Sequence, residues 1–478
     1  MSIHSRGTHR AVLSGMVGVI ALGTSLAQSA GAVSSTLTER VSVSTAGQQG
    51  NDISGRFAGP AISGDGGVVA FDSIATTLVP DDTNNEADVF VHDRATNTTE
   101  RVSVSSRGRQ GNEFSSRPAL DGTGNAVAFD SAATNLAGSD ANGTQLDVFV
   151  HNRTTHKTKR VSVSSDEVQG NGGSHSPSVS ANGRFVAFTS TASNLVPDDT
   201  STDDIFVRDL AAGTTERVSE SSTGEPGNSS STLASISANG RWVVFNSFAT
   251  NLVPEDTNGH FDVFIHDRTT GLTELVSVSS DETQGNAPST RPTVSRNGQL
   301  VAFLSGATNL VPGDTNDRDD IFVRDRTLGT TERASINSRE EQADGNSQEP
   351  GVRGFTASSP DITADGRYVA FFSSATNLVP GDTNTCPLFF EDPGTCPDAF
   401  VRDRLTGTTT RVSLFADGSQ SNERNSDPVI SDDGLVVAFW SAAALVPEDT
   451  NTCPLFSSFP GNCPDIFVRD STVAAISN

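Results

Sequence analysis

Three short phrases recur seven times in the same order along this chain, and a period of that kind leaves few folds open. The first is an apolar run ending in Phe: Val68–Phe71, Ala126–Phe129, Phe185–Phe188, Trp242–Phe245, Leu300–Phe303, Tyr368–Phe371 and Val436–Phe439. The second, Asp-Val/Ile/Ala-Phe-Val/Ile, starts at Asp88, Asp147, Asp204, Asp262, Asp320, Asp398 and Asp465. The third is similar to Glu-Arg-Val-Ser-Val-Ser and contains Val41, Val102, Val161, Val218, Val276, Ala334 and Val412. The closing Phe residues stand 58, 59, 57, 58, 68 and 68 positions apart, so the last two copies carry insertions.

Each copy reads as four short strands. A first strand, such as Pro177–Ser180, leads into an Asn-Gly or Asp-Gly pair in most copies (Asn182-Gly183, Asn239-Gly240, Asn297-Gly298). That dipeptide supplies the positive φ angles of a tight hairpin. The Phe-ending run is strand two, the Asp-Ile-Phe-Val run strand three, and Glu-Arg-Val-Ser strand four. Strands two and three are apolar at consecutive positions, as expected for sheets covered on both faces. Four-stranded units repeated radially predict an all-β, seven-bladed β-propeller. Thr38–Ser44 nearly copies Thr99–Ser105 and has no blade of its own, while the last copy stops after its third strand. The N-terminal strand is therefore expected to complete the last blade, removing two open edges. The alternative, that Val473–Ile476 fills the place, lacks the repeat sequence.

Composition narrows the role. Against 32 Lys and Arg stand 58 Asp and Glu, a net charge of -26 over 478 residues. A nucleic-acid partner needs a basic face and an anionic membrane needs basic clusters, so both are excluded. Residues 1–32 read as a secretory signal: Arg6 and Arg10, an apolar stretch from Ala11 to Ala27, and a small-residue cleavage site at Ala30-Gly31-Ala32. The domain is then 33–478, secreted or, where there is an outer membrane, periplasmic. No membrane insertion is expected, and the protein is read as a monomer.

Phrases such as Pro177–Ser190 followed by Asp204–Asp209 resemble the TolB-like family of bacterial propellers built from WD40-like repeats. The resemblance covers nearly all of 33–478 and implies fold more than function. TolB has six blades and an added α/β domain, whereas seven blades are read here, so TolB's partners do not carry over. What the resemblance implies is an exported binding scaffold.

Two loop signatures share the face expected to carry function. The first is Asp-x-Asn/Ser followed by the Asp that opens strand three: Asp82, Asn84, Asp88; Asp140, Asn142, Asp147; Asp199, Ser201, Asp204; Asp256, Asn258, Asp262; Asp314, Asn316, Asp320. The last two copies stretch it to Asp382, Asn384, Asp398 and Asp449, Asn451, Asp465. Closely spaced hard oxygens suit Ca²⁺, but no copy has a full calcium loop, and Asp and Asn also cap turns. The second is Gln-Gly-Asn at Gln49–Asn51, Gln110–Asn112, Gln169–Asn171 and Gln284–Asn286, read as a tight turn locking adjacent blades.

Cys386, Cys396, Cys453 and Cys463 form two matched insertions, and an even count in an exported chain implies disulfides, local pairing being the simplest of three connectivities. No Gly-x-Ser-x-Gly elbow is present. His92, His151 and His266 occupy one strand-three position where other copies have Arg, which reads as surface or blade packing. Trp242 and Trp440 read as core. The expectation is a non-catalytic binding or scaffolding module at the cell envelope or outside the cell, with a protein or cell-envelope polymer as partner. The alternative is an extracellular carbohydrate-active lyase or hydrolase. Loops 339–358 and 385–397 break the symmetry and are candidate partner sites.

Overall fold

Strand one of each blade is the shortest or most irregular, and it is the one that faces the axis. The computed structural model describes residues 38–199, 201–347, 359–384, 396–453 and 463–470. Residues 1–32, Val473–Ile476 and Cys386 lie outside the described residues. Among the described residues there is no helix, and the strands form seven four-stranded antiparallel sheets. Six sheets follow chain order; blade two, for example, is Ser115–Leu120, Ala126–Ser131, Asp147–Asn152 and Lys157–Arg160. Blade seven consists of Asn425–Ile430, Val436–Ser441 and Asp465–Asp470, with Thr38–Arg40 added as its fourth strand. Thr38 stands opposite Arg469 and Arg40 opposite Phe467, so the ring closes as the repeat requires.

The period-two pleat places alternate side chains of strand two on opposite faces. Val69 and Phe71 pack on blade seven, against Val436, Ala438 and Ile466. Val68 and Ala70 face blade two, against Val127 and Phe129. Each blade thus offers Phe to the blade before it and a socket of small residues to the one after. The strand-two Phe is paired with the strand-three Phe in every blade, from 5.8 Å between centroids for Phe371 and Phe400 to 6.3 Å for Phe439 and Phe467. All fourteen rings are fully buried, each worth about 2–3 kcal/mol of transfer free energy.

The hairpin between strands one and two differs from expectation. Positive φ falls on glycine alone (Gly183 at 67°, Gly240 at 77°), because a five-residue turn such as Ser180–Arg184 needs a single left-handed residue. Asn182 instead caps the turn, its Oδ1 accepting from Arg184 N at 3.0 Å and Ser180 Oγ at 2.7 Å. A Cβ on Gly240 would stand 2.1 Å from Phe185 of the preceding blade, so glycine is required there by space as well. Trp242 is only half-buried and lies between the Arg241 and Arg326 guanidiniums, 4.7 and 4.0 Å from its ring. Cys453 and Cys463 form a disulfide with Cα atoms 4.9 Å apart. No described cysteine is free.

Candidate functional site

The structure pairs the aspartates of the loop signature and surrounds them with the protein's own donors. Arg101, on strand four, lies 3.5 Å from Asp82 and 3.3 Å from Asp88. Arg160 repeats this with Asp140 and Asp147, Arg333 with Asp314 and Asp320, and Arg411 with Asp382 and Asp398. Arg217 lies 3.2 Å from Asp199, and Asp204 accepts from Ser219 Oγ at 2.6 Å. Arg40 serves Asp449 and Asp465. In the fourth blade the corresponding residue is Leu275, and among the described residues no arginine pairs with Asp256 or Asp262. Burial pushes Asp88, Asp147, Asp262 and Asp382 up to about 6, and Asp465 to about 7, against the pull of their hydrogen bonds. Among the described residues, no three His, Cys, Asp or Glu side chains converge as metal ligands.

The Gln-Gly-Asn loop completes these clusters and joins blades, as its sequence suggests. Gln110 Nε2 donates to Asp82 at 2.8 Å and Asp88 at 2.7 Å in its own blade, and Asn112 Nδ2 donates to Thr134 Oγ1 of the next at 3.0 Å. The signature asparagines bind the same loop. Asn84, Asn142, Asn258 and Asn316 donate to the carbonyls of Gly111, Gly170, Gly285 and Ala343. His92, His151 and His266 are buried, not superficial, and each Nδ1 meets a strand-four threonine hydroxyl at 2.9 Å. Burial lowers all three, His266 to about 4.

The axial channel is chemically different. It encloses about 440 Å³ and is lined by strand one of every blade. At the end formed by the strand one–two turns, backbone hydrogen bonds tie the blades into a collar: Asp432 N to Gly64 O, Gly64 N to Gly122 O and Gly122 N to Ala181 O, at 2.9–3.0 Å. Arg296 of blade five pairs with Asp432 of blade seven across this end, passing blade six. Towards the other end strand one bulges, and its register shifts in each of five blades. The residue at the bulge is left-handed each time: Arg117, Ser176, Leu233, Arg291 and Asp427, with φ between 51° and 56°. Left-handed non-glycine residues cost free energy and gather where function holds them.

This position changes in chemical character from blade to blade. Arg117 lies 3.1 Å from Asp130, which also accepts from Ser116 Oγ at 2.6 Å and from Ser176 N at 3.1 Å. His175 sits 4.0 Å from Asp203, and burial holds its imidazole below the usual range. On the other side, burial lowers Arg291 and brings Arg424 down to about 10, with Asp427 opposing both. Asp72 is buried under the amides of Arg56, Phe57 and Ala58 and is pushed up to about 7.

No family model matches the sequence, and no curated protein matches it. Solved structures do. TolB from Acinetobacter baumannii aligns over 68% of this chain at 13% identity, with a TM-score of 0.38, and only 59% of the TolB chain is covered. An oligogalacturonate lyase from Vibrio parahaemolyticus aligns over 91% of this chain and 93% of its own, at 12% identity and a TM-score of 0.50. The chain has a β-propeller fold, here of seven blades. The β-propeller domain of the Trilobed protease from Pyrococcus furiosus is also similar, with 12% identity, 88% and 96% coverage and a TM-score of 0.49.

Sequence reasoning missed the five bulge residues of this propeller, although a signal was present. Arg117, Ser176, Arg291 and Asp427 each precede a proline inside strand one, and proline within a strand marks a bulge or an edge. Of the symmetry-breaking loops 339–358 and 385–397, residues 348–358 and 385–395 lie outside the described residues.

Proposed function

We propose that this chain is an exported, non-catalytic binding or scaffolding module acting at the cell envelope or outside the cell. Its partner is a protein or an envelope polymer, met at the bulged end of the channel. One contrast carries the reading. The polar residues that repeat in every blade are spent on holding blades together, whereas the bulge position changes from Arg to Ser to Leu to Arg to Asp. A single ligand needs that asymmetry. The Cys453–Cys463 disulfide is consistent with an oxidising compartment. No helix among the described residues is long and apolar enough to cross a membrane.

A second reading, an enzyme acting on acidic oligosaccharides, is favoured by the half-buried His175 beside Asp203. A lowered imidazole is neutral near pH 7 and suited to act as a base. The two readings separate in one experiment. Immobilised protein is presented with cell-envelope fractions and, separately, with acidic oligosaccharides. Retention of one partner, lost in Arg117→Asn/Arg291→Asn, supports the binding module. Release of unsaturated sugar ends, abolished by His175→Ala, replaces it with the enzyme.

A further inference from the structure

One aspartate pair lacks the guanidinium that its six counterparts hold. Strand register fixes the comparison. Arg101, Arg160, Arg217, Arg333 and Arg411 each stand opposite the strand-three Phe, and Arg40 stands opposite Phe467; Leu275 stands opposite Phe264 in the same way. Leucine ends at Cδ, where arginine continues into a cation. The carboxylates have remained. Asp262 is fully buried and Asp256 is 7% exposed.

Their neighbours are neutral donors. Gln284 Nε2 donates to Asp256 Oδ1 and to Asp262 Oδ2, both at 2.8 Å, so the two carboxylates face one another across a single amide. Ser277 Oγ donates to Asp262 Oδ1 at 2.6 Å. Asp256 Oδ2 is buried with no hydrogen-bond partner. Asp449 Oδ2 is in the same condition, but its carboxylate has Arg40 at 3.2 Å from the other oxygen. Buried charge without a counter-charge is strongly unfavourable. The fourth blade therefore holds two facing carboxylates, an orphan oxygen and no cation of its own.

We propose that the Asp256–Asp262 pair binds a hard divalent cation of the calcium class in the place that arginine takes in the other six blades. Two carboxylates neutralise a double positive charge. Carboxylate oxygens completed by water suit Ca²⁺, which accepts irregular shells, better than Mg²⁺, which demands a near-ideal octahedron. Asn258, donating to Gly285 O at 2.9 Å, fixes the loop on which Asp256 sits. The cation would tie the strand two–three loop to strand three, as the arginines do elsewhere.

The test is titration of the chelator-stripped full chain with CaCl₂, followed by calorimetry and by thermal unfolding. One equivalent binds, and free calcium at 100 times Kd raises the folded-to-unfolded ratio about 100-fold. Asp256→Asn loses this response. Leu275→Arg also loses it, yet melts no lower in EDTA than the metal-free wild type, because the guanidinium takes over. The proposal is overturned by absence of saturable binding up to millimolar calcium, by a response to Na⁺ alone, by a stoichiometry near seven, or by binding that survives in Leu275→Arg.

Discussion

Arg40 Nη1 lies 3.2 Å from Asp449 Oδ1 and 3.7 Å from Asp465 Oδ2, so the first described strand supplies the cation for the carboxylates of the last blade. The same strand places Val41 in the apolar cluster between blades seven and one. Closure is thus secured by charge and by packing together. Arg40→Leu leaves two buried carboxylates unpaired and is expected to cost about 3 kcal/mol. A lower urea midpoint with an unchanged m-value checks this; a neutral result would mean that the added strand contributes little through its charge.

Two solutions to one inter-blade contact serve six of the blades, and in the seventh Arg469 donates to Leu414 O and Phe415 O beside Gly418. Arg208, Arg324 and Arg402 reach Glu167, Glu282 and Glu340, and each glutamate sits at positive φ, 61° to 64°. Where the strand-three residue is His92, His151 or His266, the loop position is Gly47, Gly108 or Gly224, also at positive φ. The strained glutamate is tolerated for the ion pair it makes; without an arginine, glycine suffices. Arg324→His alone is expected to destabilise, and adding Glu282→Gly to recover about 1 kcal/mol by relieving the left-handed conformation. A double-mutant cycle by chemical unfolding reads the coupling.

The buried histidines set a pH dependence whose sign is fixed. In the unfolded chain His266 takes a proton near pH 6.5, whereas burial lowers it in the fold to about 4. Its contribution is therefore fully present above pH 6.5 and is lost as pH falls towards 4, by about 2–3 kcal/mol in all. His266→Gln should flatten that part of the stability curve. Asp72, raised to about 7, acts oppositely: its contribution is full below pH 4 and is lost as pH rises through 7. Unfolding of His266→Gln and Asp72→Asn between pH 4 and 8 separates the two, with slopes of opposite change.

The Cys453–Cys463 bridge closes a loop with a sequence separation of 10 and brings Cys463 two residues before Asp465. Loss of a loop that short by Cys453→Ser/Cys463→Ser should cost about 2–3 kcal/mol. Adding a reductant should lower the melting temperature of the wild type by more than that of the double variant, in which Cys396 is still disulfide-bonded.

The fold was legible because its signals are local. Apolar runs, Asn-Gly turns and the surplus Thr38–Ser44 strand each needed only a short window of sequence. The site was harder, because its parts meet only when blades pack. Gln110 reaches Asp82 across 28 positions, and nothing near either residue announces the other. The arginine between the paired aspartates was visible in the Glu-Arg phrase, as was its replacement by Leu275, but only register shows that they occupy one place. At the bulge, Arg117-Pro118 and Asp427-Pro428 gave a backbone signal that hydrophobic periodicity does not register.

In the proposed binding module, the repeated polar residues hold the ring and the variable bulge residues meet the partner. Retention of an envelope component is measured side by side for the wild type, Arg117→Asn/Arg291→Asn and Arg333→Leu, with melting temperatures for each. Asparagine tolerates the left-handed conformation of the bulge. The predicted result is that the bulge variant melts near the wild type but no longer retains the component, while Arg333→Leu retains it and melts lower. Retention undiminished in the bulge variant, with loss confined to Arg333→Leu, would contradict the account.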